Sequence, residues 1–274
     1  MPTTRTSTED RPAAAHSLRR SDIEAFARDG YLAVPGFLSA EEVKSARQWV
    51  CDVERWPDDR DAGWLQHDEQ TTSGVRRTRT ENFSPFHACL RALLTTGAVP
   101  VMAGQLLGEP AVLYKEKINY KHPGGAGFAA HQDAPAYPHI RESVSCLLAV
   151  DDSTVENGCL EFASGLHHEL LPTDGHGCIH PDVAETLPWH AHPVRAGSLV
   201  WFHSHTPHRS GPNTSTTSRR ALYLTYNAAS LGDLHNAYYH DKRVALSHAS
   251  ARGGVQRVSL IDHFRGIAPA EQNQ

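Results

Sequence analysis

Residues 111–133 read AVLYKEKINYKHPGGAGFAAHQD, and the fold turns on how that stretch is parsed. Apolar and polar residues alternate from Ala111 to Lys121, the period of a strand buried on one or both faces. HPGGAG then turns the chain, and a second short extended segment leads into His131 and Asp133. Downstream, SVSCLLAVDD, GCLEFA, HPVRAGSLVWFH and RRALYLTYNA repeat the pattern of short strands between Gly, Pro and Asn turns. Upstream the texture is helical. Ser21 with Glu24 and Ser39 with Glu42 have capping-box spacing, Gly30 suits a helix end, and YLAVPGFL between them reads as a strand and turn. Residues 54–80 are polar and read as loop, and FHACLRALLTTGAVPVMAGQLLG reads as one helix ending at Gly108. Helices first and short strands after predict an α+β chain whose core is a sandwich or barrel. A long His- and Pro-containing loop is expected over 164–192.

Bulk properties narrow the function. The chain has 274 residues, 39% hydrophobic and 21% charged, with a formal net charge of −5, which offers no sign of nucleic-acid binding. Five cysteines without a CxxC pair point to a reducing, cytoplasmic setting rather than a disulfide scaffold. No uninterrupted apolar run reaches bilayer length, so no membrane span is expected. Residues 1–20 read as a flexible leader, 21–265 as one domain and 266–274 as a tail. The oligomeric state is not legible.

Histidine, at 19 residues, is the anomaly. Two HxD pairs occur, His131/Asp133 and His180/Asp182, so spacing alone does not single out a metal pair. Context does: Pro181 and a loop composition surround the second, whereas the first follows a Gly turn among strands. In an extended segment, residues two apart share a face, so an imidazole and a carboxylate can meet on one ion. A distant imidazole would complete a two-His, one-carboxylate set that leaves coordination positions open, the arrangement of non-haem Fe(II) oxygenases. The candidates are His203, His205 and His208. An antiparallel strand pair after His208 would return Arg219 or Arg220, either able to grip a dicarboxylate.

HQD, then HRSGPN, then an arginine 11 residues beyond the second histidine, together with FARDGYLAVPGFLSAEEV near the front, resemble the phytanoyl-CoA dioxygenase family of Fe(II)/2-oxoglutarate oxygenases. The resemblance runs from about residue 20 to 245 and implies a double-stranded β-helix, or jelly-roll, core. It carries His131, Asp133 and His208 onto the iron ligands and Arg219 onto the 2-oxoglutarate carboxylate. The cofactors implied are Fe(II), 2-oxoglutarate and O2, with succinate and CO2 as by-products. A carboxylate at Asp133, where halogenating relatives carry a small residue, implies hydroxylation. The surrounding sequence is most similar to family members acting on small polar molecules of the aminoethylphosphonate type.

The alternation in KEKINYK places Lys115, Lys117, Asn119 and Lys121 on one face, where Lys117 could hold substrate and Asn119 the cosubstrate. Strand lysines ordinarily face solvent, and Arg77 and Arg79 read as a solvated loop, although Arg79 is a further substrate candidate. Tyr137 and Trp201 are candidate pocket walls, aromatic residues in such places being ordinarily core. The histidines of 164–192 fit no metal motif. Rival readings are a jelly-roll metabolite-binding protein without catalysis and a metalloenzyme independent of 2-oxoglutarate.

Overall fold

The computed structural model describes residues 17–251 apart from 60–61, 72–73, 138–139, 141 and 176. The expected leader up to residue 16, the domain's last residues and the tail lie outside them.

Two helices open the chain: α1 (Arg20–Asp29), then strand β1 (Tyr31–Val34), then α2 (Ala40–Glu54). Ser39 and Glu42 form the expected capping box, with the Glu42 carboxylate accepting from the Ser39 backbone N–H at 2.8 Å. Ser21 and Glu24 do not. α1 starts two residues earlier, and it is Asp22 that reaches back to the Arg19 N–H at 2.9 Å. Gly30 ends α1 at φ 80°, in the left-handed region, where a side chain would also collide with His167 and Thr206.

Residues 54–80 are not a loop. They hold β2 (Leu65–Thr71) and β3 (Gly74–Glu81), an antiparallel hairpin in which Asp68 lies opposite Arg77 and pairs with it at 2.6 Å. Charged cross-strand pairs hide such a hairpin from a search for apolar alternation. The expected single helix is two, α3 (Ala88–Thr95) and α4 (Ala98–Leu107), broken at Gly97 with φ 76° and ψ −141°. The stretch Ala88–Leu107 averages apolar enough for a membrane span, at mean hydropathy 1.3. The break at Gly97 and the burial of Leu90, Leu94, Val99 and Met102 in the core account for that composition instead.

From Ala111 the expected strands appear: β4 (Ala111–Lys121), β5 (Phe128–His131), β6 (Val144–Ala149) and β7 (Leu160–Ala163). The 164–192 stretch is less bare than expected, holding a turn of helix, α5 (Pro181–Ala184), and β8 (Trp189–His192), which pairs with β7. Then come β9 (Leu199–His203), β10 (His208–Ser210), β11 (Arg219–Ala228) and the helix α6 (His235–Ala251). Two antiparallel sheets result, ordered β1-β9-β6-β11-β4-β3-β2 and β5-β10-β7-β8.

The large sheet is covered on both faces. Cys146, Leu148, Leu199, Trp201, Leu222 and Leu224 join the apolar sides of α1–α4 in one core. Their neighbours on the same strands, Leu147, Ala149, Val200, Phe202 and Ala221, pack instead against Leu160 and Phe162 of the small sheet. This is the period of two at work. The architecture is the jelly roll that the sequence resemblance implies. Trp201, at 0% exposure, belongs to the helix-side core and not to a pocket.

Candidate functional site

A pocket of roughly 450 Å3, mouth included, opens between the sheets at the end where β5 and β10 meet. β5 and β10 are antiparallel neighbours with His131 directly opposite His208. That register brings two histidines 77 positions apart in sequence to a ring-centroid distance of 4.1 Å. Asp133 reaches the same point by a different route from the one the spacing suggested. His131 is the last residue of β5, and Asp133 begins a 3-10 turn with φ −73° and ψ −31°, so the turn rather than strand alternation swings its carboxylate in.

The His131 Nε2 and His208 Nε2 atoms lie 3.9 and 4.0 Å from Asp133 Oδ1. One ligand atom from each of the three residues falls within 4.8 Å of the others, the only such metal-capable group among the described residues. Both rings are held through the far nitrogen: His131 Nδ1 donates to the Ala129 carbonyl at 2.8 Å and His208 Nδ1 to Thr206 at 2.9 Å. The two Nε2 atoms therefore point lone pairs, not protons, at the shared space. Ser145 Oγ donates to Asp133 Oδ2 at 3.1 Å and lies 3.1 Å from the Thr225 hydroxyl. Burial, reinforced by repulsion from His208, pushes His131 down to about 3. Burial works upward on Asp133, but His208, Lys115, His131 and Lys117 overcome it and hold the carboxyl at about 2. A neutral imidazole pair and an ionised carboxylate, all buried, form a donor set suited to a divalent transition metal.

His203 and His205 lie outside the cluster, His203 Nδ1 accepting from the His205 backbone N–H at 3.1 Å. Arg219 and Arg220 separate by strand alternation. Arg220 is spent on Asp151, with its Nε 2.7 Å from Oδ2, and touches the Cys51 sulfur. Arg219 stands on the inner face, the face of Tyr223 and Thr225, which line the pocket. It is not the antiparallel return of β10, since β10 and β11 belong to opposite sheets and the intervening segment crosses between them. Arg219 is 0% exposed, and its one hydrogen bond is a long one of 3.4 Å from Nη1 to Ser153 Oγ. Its Nε and Nη2 are buried without a partner. Such a cation costs free energy as it stands, and a carboxylate delivered to it would supply the missing acceptors.

The lysine face points inward, against the solvent-facing expectation. Lys115, Asn119 and Lys121 are each 5% exposed or less. Lys121 Nζ is saturated by Gly158, Ser210 and Gly211 oxygens and braces the turn after β10. Lys117, Asn119 and Tyr137 line the pocket, and the Tyr137 hydroxyl is buried without a hydrogen bond. Arg79 does not line it. At 1% exposure it is no solvated loop residue: its Nε donates to Asn119 Oδ1 at 3.2 Å and its Nη1 to Glu81 at 3.2 Å. Arg79 thus orients Asn119 and leaves the Asn119 amide N–H groups for the cavity.

Sequence reasoning passed over Ser145 and Thr225, small hydroxyls with no motif, and Gln132 between His131 and Asp133. Gln132 faces away from the cavity, donating to the Glu169 and His205 carbonyls at 2.8 and 2.6 Å and accepting from the Leu171 N–H at 2.8 Å.

Residues 26–221 match the family described as phytanoyl-CoA dioxygenase (PhyH). The chain is 49% identical over 258 residues to a methylphosphonate hydroxylase of Gimesia maris, covering 93% of this chain and 98% of that protein. It is 37% identical over 220 residues to a 2-aminoethylphosphonate dioxygenase of an uncultured bacterium, covering 78% and 84%. Among solved structures, EctD from S. alaskensis with 2-oxoglutarate and 5-hydroxyectoine superimposes with a TM-score of 0.68 at 21% identity, over 78% of this chain and 77% of that one.

Proposed function

We propose, from the premise that this chain belongs to the phytanoyl-CoA dioxygenase family, that it hydroxylates a C–H bond of a small phosphonate. The chain is an Fe(II)- and 2-oxoglutarate-dependent dioxygenase. The reaction consumes substrate, O2 and 2-oxoglutarate and yields alcohol, succinate and CO2, one oxygen atom entering each of the first two products. Two relatives whose names carry a phosphonate substrate, at 49% and 37% identity over most of the chain, support that substrate class.

The observation that carries the reading is the buried pair of features just described: three converging ligand atoms and, on the inner face of the opposite sheet, a guanidinium whose Nε and Nη2 lack acceptors. His131, Asp133 and His208 would hold the iron, whose chemistry when bound is activation of O2 coupled to oxidative decarboxylation of the cosubstrate. Ser145 fixes the Asp133 carboxylate, and the Ala129 and Thr206 carbonyls fix the imidazole tautomers. Arg219 would bind the remote carboxylate of 2-oxoglutarate, and Asn119, set by Arg79, would donate to the cosubstrate nearer the metal. Leu160, Phe202 and Tyr223 supply apolar walls that keep bulk water from the reacting carbon. Among the described residues all five cysteines are free thiols, which fits a reducing compartment such as the cytoplasm.

The test is direct. Anaerobic protein given Fe(II) and 2-oxoglutarate develops a visible metal-to-ligand charge-transfer band, and under air methylphosphonate or a close analogue stimulates succinate release. A band without stimulation by any phosphonate would overturn the substrate class, and no band at all would overturn the site.

A further inference from the structure

We infer that Lys117 anchors the phosphonate head group, and that this pocket selects an alkylphosphonate lacking an ammonium. The inference rests on the phosphonate reading above and goes beyond it to the kind of phosphonate taken.

The argument is an inventory of charge around the cavity. Besides Arg219, assigned above to the cosubstrate, four cationic side chains stand near it: Lys115, Lys117, Lys121 and Arg209. Lys121 is saturated by three oxygens. Arg209 lines the pocket but is spent on Glu161, at 2.9 and 2.8 Å, with its guanidinium carbon 4.5 Å from the Trp189 ring centroid. Lys115 is buried behind the wall, its Nζ 4.2 Å from the Tyr137 ring centroid. Lys117 differs from Lys121 and Arg209 in making neither hydrogen bond nor ion pair, and from Lys115, which also makes none, in lining the pocket. It has only the Tyr223 ring 5.3 Å from its Nζ. A half-buried ammonium with no acceptor in contact, on which Asp133 acts only from a distance, is an incomplete site, and an oxyanion completes it. Burial and then repulsion from Lys115 hold its proton more loosely than an ordinary lysine's, a condition that a dianion in contact would relieve. The Tyr137 hydroxyl, buried without a hydrogen bond, is a second donor in the same pocket.

The acids are accounted for as completely. Asp133 is the one carboxylate among the described lining residues, and it belongs to the metal cluster. Glu161 is taken by Arg209, Glu81 by Lys242 and Arg79, and Glu116 by His235 and the Ser84 N–H. A substrate ammonium would therefore enter a cavity with a free lysine and no free acid. That arrangement rejects charge of one sign by leaving it unpaired.

The experiment titrates methylphosphonate and 2-aminoethylphosphonate into anaerobic Fe(II)·2-oxoglutarate protein and follows the perturbation of the charge-transfer band, for wild type, Lys117→Met and Lys117→Arg. Wild type should bind methylphosphonate at least roughly 30-fold more tightly than the amino compound. Lys117→Met should weaken methylphosphonate by at least roughly 30-fold, the scale of a truncated buried charge pair. The affinity for 2-oxoglutarate, read from the band itself, should hold, and Lys117→Arg should recover part of the loss. Unchanged methylphosphonate binding in Lys117→Met, an equal loss of 2-oxoglutarate affinity, or equal affinity of wild type for the two phosphonates would overturn the inference. A wild-type band that neither phosphonate perturbs would instead overturn the phosphonate reading itself.

Discussion

Two clusters of buried charge lie within one strand of each other and are built on opposite terms. Around Glu81 the carboxylate is enclosed by partners: Lys242 sits 2.7 Å from one oxygen, and Arg79 and His67 sit 3.2 and 3.3 Å from the other. Next to it Glu116 takes His235 at 2.8 Å and the Ser84 N–H at 2.9 Å, while Tyr239 donates to its carbonyl at 2.6 Å. These contacts fasten α6 to β3 and β4. Around the pocket, Arg219 is buried with its Nε and Nη2 lacking acceptors, Lys117 is half-buried with only the Tyr223 ring beside it, and two imidazoles converge with a carboxylate. The difference separates structure from function: a closed network holds the fold, and an open one waits for ligands.

The comparison breaks most sharply at the metal cluster. His131→Ala should take coupled succinate release to background and abolish the charge-transfer band, while the Tm of protein without metal changes little. A surviving band would remove His131 from the ligand set. On the closed side the expectation reverses. Glu81→Ala strands Lys242 and Arg79, and breaking a buried pair in this way costs about 3–5 kcal/mol. At about 2–4 °C per kcal/mol for a chain of this size, calorimetry should show a Tm lower by roughly 6–20 °C.

Arg219→Ala sharpens the contrast, because it removes a buried charge that has no ion-pair partner. The protein without cosubstrate should be as stable as wild type or more so, while 2-oxoglutarate affinity falls by about 2–5 kcal/mol. The stabilisation that wild type gains from added 2-oxoglutarate should vanish in the variant. A large loss of stability would mean that Arg219 serves the fold.

The smallest effect concerns pH. Burial pushes His235 down, but hydrogen bonding and attraction to Glu116 outweigh it and hold the imidazole above its usual value of 6.5. A raised folded value means the stabilisation is complete below the unfolded value and is lost as pH rises through the folded one. His235→Asn should therefore cost about 1.5 kcal/mol in mild acid and leave stability flatter toward alkaline pH. A parallel pair of stability profiles would contradict this.

How much of this was legible beforehand depends on the kind of interaction. The strands β4, β6, β7, β9 and β11 show in the sequence because each carries alternation or a continuous apolar run, whereas β8, WHAH, carries neither and reads as loop; the candidate ligand set shows because its residue types have few other uses in company. The β2–β3 hairpin did not show, since its pairs are Asp68–Arg77 and similar polar contacts rather than apolar ones. The inward lysines were open to misreading for a related reason. Lys115 and Lys117 sit on the inner face because the apolar residues Ile118 and Tyr120 of the same strand are committed to the helix side. Sequence alternation shows that two faces exist, but only the packing decides which one meets water. Ser145 and Thr225 carry no sequence signal at all, since their role depends on where β6 and β11 place them.

Gln132, wedged between the two candidate ligands, fastens the segment 169–171 through its side-chain amide. Any displacement of that segment therefore pulls on the residue that spaces His131 from Asp133. The positions of those two side chains are thus tied to a stretch of chain that does not itself line the pocket. A lineage that shortens or replaces residues 169–171 would have to find the glutamine amide new partners at the same time.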